Sequence, residues 1–88
     1  MKTKLESQIN IMTNETIVLM ADNPNIGVKP FMYTASRVEF FKKKYLRRLQ
    51  LNENISSILN DFAAQLAFLR VFAVGKTKQM NTGEFTEE

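Results

Sequence analysis

Apolar positions along this chain recur at helical spacing in three blocks, separated by two polar breaks. In the last block Ile55, Ile58, Leu59, Phe62, Leu66, Leu69 and Ala73 fall on one side of a helix at about 100° per residue. The preceding Leu51-Asn52-Glu53-Asn54 supplies turn and capping chemistry. Gly75 reads as the left-handed residue that closes this helix, with Lys76 and Lys78 near the negative end of its dipole.

The middle block gathers Val38, Phe41, Tyr45, Leu46 and Leu49 on one side. Ser36-x-x-Glu39 fits a capping box, in which the serine oxygen accepts from the Glu39 amide and the carboxylate reaches back. The spacing therefore predicts a helix from Arg37 to about Gln50. A short connection to the last helix predicts that the two fold back as an antiparallel hairpin.

The first block is ambiguous. Leu5, Ile9, Met12 and Leu19 share a helical face, but Thr13-Asn14-Glu15-Thr16 interrupts them with turn-prone residues. Helix is the favoured reading, and a β-hairpin pairing Gln8–Met12 with Thr16–Met20 is the rival, because Ile9, Ile11, Ile17 and Val18 are β-branched. Between the first two blocks, Asp22 to Pro30 reads as a connector rich in Asn, Pro and Gly, with Phe31, Met32 and Tyr33 pinning it to the core. Its lone glycine lacks the spacing of a phosphate-binding loop.

At 88 residues the chain has room for one core. The expectation is a small all-α domain over 1–78 and a mobile acidic tail over 79–88, where the apolar period lapses and Glu87 and Glu88 close the sequence. The absence of cysteine and histidine removes disulfides, thiolate and imidazole metal sites and the commonest general base. No enzyme, cofactor or metal is expected. Lack of cysteine suits a reducing cytosol. Glu6 and Gln8 break the apolar run that a secretory signal requires, and Phe62–Val74 is shorter than the roughly 20 residues that cross a bilayer, so no membrane partner is expected.

Charge adds the functional lead. Twelve Lys and Arg stand against nine Asp and Glu, a formal net charge of +3. Arg37, Lys43, Lys44, Arg47 and Arg48 collect on the face of the middle helix opposite its apolar side, with Phe40 projecting among them. Such a face neutralises phosphates and offers a ring on which a base stacks. Lys42 points the other way, snorkelling along the apolar side or meeting a carboxylate or a ligand at a subunit boundary.

The last helix carries a second apolar surface made of Ala64, Ala67, Phe68, Val71 and Phe72. A helix apolar on both sides needs cover on both, and a second copy of the chain would supply it. The sequence thus predicts a noncatalytic homo-oligomer that binds a nucleic acid or phosphorylated nucleotide through its basic helix. A second prediction from the same cations is an accessory or inhibitor protein that docks on an acidic protein partner.

Overall fold

A computed structural model describes residues 2–51 and 54–82, which form three helices and, among the described residues, no strand. They are α1 (Lys2–Ala21), α2 (Val28–Gln50) and α3 (Ile55–Thr82). The all-α expectation is met, and α1 is helical across the region where a hairpin was the rival.

The reason is visible in the threonines. Thr13 and Thr16 are buried, and their hydroxyls donate to the Ile9 and Met12 carbonyls, each at 2.9 Å. A threonine whose hydroxyl bonds back to the preceding turn presents mainly its methyl group to the core. Ile9, Thr13, Thr16 and Met20 are therefore the buried stripe of α1, while Leu19 turns out to solvent at 54% exposure.

α2 begins nine residues earlier than the capping box implies. Gly27 is its N-cap, and its carbonyl accepts the first intrahelical bond from the Phe31 amide at 3.0 Å. Pro30 occupies the third helical position, where the backbone amide has no intrahelical partner, so the missing N–H costs the helix no bond. Ser36 lies mid-helix and exposed, and the apolar patch Phe31–Tyr33 belongs to α2 instead of to a loop. The true connector is Asp22 to Gly27. Within it the Asn25 amide donates to Asn23 Oδ1 at 2.8 Å, closing an Asx turn around Pro24.

α3 starts as expected. Asn54 caps it by accepting from the Ser57 amide at 3.0 Å. It does not stop at Gly75, which sits in the helix with nothing within 4 Å of where a Cβ would stand. The helix continues to Thr82, so residues 79–82 of the expected tail are helical and the rest of that tail lies outside the described residues.

The buried positions of α2 and α3 repeat one another. Pro30, Thr34, Val38, Tyr45 and Leu49, with half-buried Phe41 between, are spaced 4-4-3-4-4. Ile58, Phe62, Leu66, Leu69, Ala73 and Thr77 have the same spacing. Eleven residues in three turns is about 3.67 per turn, close to a straight helix, so both stripes stay on one face without strong supercoiling.

The two helices lie antiparallel. The Gly27 amide donates to Thr77 Oγ1 at 2.9 Å at one end, and Arg48 meets Asp61 at 3.7 Å at the other. Between them the Tyr45 and Phe62 rings are 5.1 Å apart. Phe62 is fully buried at the centre of the core, and burial of a side chain of this size contributes about 2–3 kcal/mol. α1 packs against both helices, more extensively on α2. The result is a rod of 47 × 22 × 17 Å.

α3 also exceeds the length expected of its apolar segment. Ile55–Met80, 26 residues, is long and apolar enough to cross a membrane by length and composition alone. Its inner stripe packs in the core of the bundle, and 28% of its apolar window is buried there.

Candidate functional site

Register on α2 decides what its outer surface carries. With the helix running from Val28, the positions opposite the core are Lys29, Tyr33, Ser36, Phe40, Lys43 and Arg47, all exposed, with Arg37 and Lys44 along one edge. Among the described residues Phe40 is 54% exposed. The Arg37 guanidinium stands 5.2 Å from its ring centroid and 5.5 Å from that of Phe41. Lys44 Nζ approaches the Phe41 ring at 5.7 Å.

These rings are braced from below. Phe40 meets Phe41 edge-on at 5.3 Å, Phe41 meets Tyr45 at 6.5 Å and Tyr45 meets Phe62 at 5.1 Å. A run of aromatic contacts thus leads from solvent to the core, and Phe40 projects from a supported position. Quadrupolar attraction orders such pairs beyond simple burial.

The predicted cations do not all behave alike. Among the described residues Arg37, Lys43, Lys44 and Arg47 form no ion pair, so their charge is uncompensated at short range. Arg48 is half-buried, lies 5.1 Å from the Tyr45 centroid and pairs with Asp61 of α3, which makes it a clasp between helices. Lys42 is half-buried and pairs with Glu39 one turn earlier at 3.8 Å. Its charge is met within its own helix.

The second apolar surface of α3 divides. Ala64, Ala67, Phe68 and Val71 are exposed, the last two at 63% and 71%. Phe72 is half-buried and turns toward α2, its ring 6.0 Å from that of Tyr33 with Lys76 Nζ at 5.8 Å. Tyr33, Phe72 and Lys76 therefore add an aromatic and cationic cluster beside the Arg37–Phe40 group, one that sequence reading missed. Tyr33 was within reach of it: seven residues before Phe40, it shares that face once the helix is allowed to start before Ser36. Its meeting with Phe72 depends on the tertiary register.

A separate groove of about 540 Å³ runs along the opposite side of the molecule between α1 and α3. Leu19, Ile26, Ala67, Val71 and Val74 line it, with Arg70 and Lys78 at its edge.

No protein-family model matches the chain, and no curated protein or solved structure matches it either. The α2 face offers positive charge and exposed ring faces.

Proposed function

We propose that the chain is a noncatalytic, self-associating binding protein whose α2 outer face takes an anionic ligand. A nucleic acid is the first choice, and a phosphorylated nucleotide is the small-ligand form of the same chemistry. The observation that carries this reading is Phe40, held exposed under the Arg37 guanidinium among cations that pair with no carboxylate of the described residues. Arg37, Lys43, Lys44 and Arg47 would neutralise phosphates, while Phe40 would receive a base. Tyr33 lies about 10.5 Å further along the helix axis, at 1.5 Å per residue, a distance of about three base steps at about 3.4 Å each.

Self-association through the exposed apolar side of α3 would repeat this face on each copy and raise affinity for a long polyanion through effective concentration. The absence of cysteine suits a cytosolic setting for that encounter.

Fluorescence anisotropy with labelled single-stranded and duplex oligonucleotides and a labelled nucleotide tests the proposal. The parent should bind saturably, and Lys44→Glu with Arg47→Glu should weaken binding at least tenfold with the helical signal intact. No saturable binding to any probe sinks it.

A second reading, docking on an acidic protein surface, draws on Val28 and Met32. They are 74% and 63% exposed at the start of α2, where anchors in a partner's pockets would sit. It predicts that the parent captures a protein partner and that the double charge reversal abolishes this capture, whatever the nucleic-acid result.

A further inference from the structure

α1 presents a ridge to solvent that its own fold does not use. Ile11, Glu15 and Val18 follow one another at spacings of four and three on one outward line, and Asp22, the first connector residue, extends it as its amide donates to the Val18 carbonyl at 2.9 Å. Ile11 is 47% and Val18 56% exposed, and Leu19 beside them is 54% exposed. Single exposed aliphatics need no explanation, but this line alternates apolar and acidic residues at a regular pitch.

The groove between α1 and α3 has the complementary character. Ala67, Val71 and Val74 form its apolar wall, and Arg70 and Lys78 bring two cations to it. Among the described residues, the side chains of Glu15, Asp22, Arg70 and Lys78 enter no ion pair. Asp22 follows Glu15 by seven residues, just past the end of α1, and Lys78 follows Arg70 by eight on α3. Ile11 and Val18 repeat at the same interval as Ala67 and Val74, seven residues in each case. Gly75 fits the same picture: it costs the helix stability relative to alanine, and its open side has no occupant among the described residues.

We propose that the groove receives the α1 ridge of a second copy. Ile11 and Val18 lie on Ala67, Val71 and Val74, and the Glu15 and Asp22 carboxylates face Arg70 and Lys78. Each copy carries both ridge and groove, so a two-fold pair uses each of them once, an isologous arrangement. The contact rests on the self-association part of the proposed function and relocates it, since α1 supplies half of the surface and Phe68 and Phe72 are not in it. α2 lies across the bundle from the groove, so pairing leaves its cationic face open on both copies.

Light scattering of the full chain at tens of micromolar, with circular dichroism as a check on folding, tests the contact. The parent should be dimeric or larger. Glu15→Arg and Arg70→Glu, each alone, should weaken association about tenfold or more, and the two combined should restore it, because the reversed charges again face each other. A parent that associates while the single reversals change nothing, or while the combined variant fails to recover, overturns this contact and leaves self-association through another part of α3 standing. A monomeric parent overturns both and gives the groove to a different occupant.

Discussion

Thr34 and Thr77 are both buried, yet their hydroxyls are spent differently. Thr77 donates to the Ala73 carbonyl at 2.9 Å and accepts the Gly27 amide at 2.9 Å, tying the end of α3 to the start of α2. Thr34 Oγ1 has no hydrogen-bond partner among the described residues. Removing one partner of a buried bond costs more than replacing an unpaired polar atom by a methyl group. Thr77→Val should therefore lose about 1–2 kcal/mol. Thr34→Val should be neutral or gain up to about 1 kcal/mol. Urea unfolding of the two variants checks this, and the reverse order would contradict it. Phe40→Ala belongs at the same scale. Its ring is half in solvent, so thermal stability should hardly move, whereas oligonucleotide affinity should fall by about 1–3 kcal/mol if a base stacks on it. These residue roles were unevenly legible. The identity of Phe40 as an aromatic outside the core stripe followed from helix geometry alone, but Thr13 and Thr16 looked like turn residues because their polarity is cancelled only by the helix they belong to.

The elements divide along the same line. The inner stripe of α3 and the second half of α2 follow from apolar spacing, since Ile58, Phe62, Leu66, Leu69, Val38, Tyr45 and Leu49 are all both periodic and buried. The first turns of α2 do not, because Gly27 and Pro30 are breakers in most settings. They are accommodated here at the N-cap and within the first turn, where unpaired backbone groups are ordinary. Gly75 misled in the opposite direction, as an isolated glycine inside a helix looks like its end. Ser36 offers a direct check on the corrected boundary. As a cap, Ser36→Ala would cost about 1 kcal/mol. As an exposed mid-helix serine, its replacement by alanine should instead be neutral or stabilising by up to about 0.5 kcal/mol. Thermal melts of the parent and Ser36→Ala distinguish the two, and a clear loss of stability would argue for a helix start at Arg37.

At the scale of the whole molecule, three helices separate two surfaces. The α2 face gathers cations and rings, and the α1–α3 side carries apolar residues at a shared seven-residue interval, with acidic residues on the α1 side and basic ones on α3. The first was largely readable as a single-helix pattern. The second was not, because it joins residues near positions 15–22 to residues near 67–78, and only the packed bundle brings these together. The Tyr33–Phe72–Lys76 cluster and the Arg48–Asp61 clasp escaped for the same reason. Phosphate neutralisation by the proposed α2 face is read most plainly from the salt dependence of oligonucleotide binding. If Arg37, Lys43, Lys44 and Arg47 each neutralise one phosphate of a single strand, a plot of log affinity against log salt should have a slope of about −3. The slope should shrink to about −1.4 when Lys44→Glu and Arg47→Glu remove two of those contacts. Undetectable binding at low salt, or a slope that the double reversal leaves unchanged, would contradict the account.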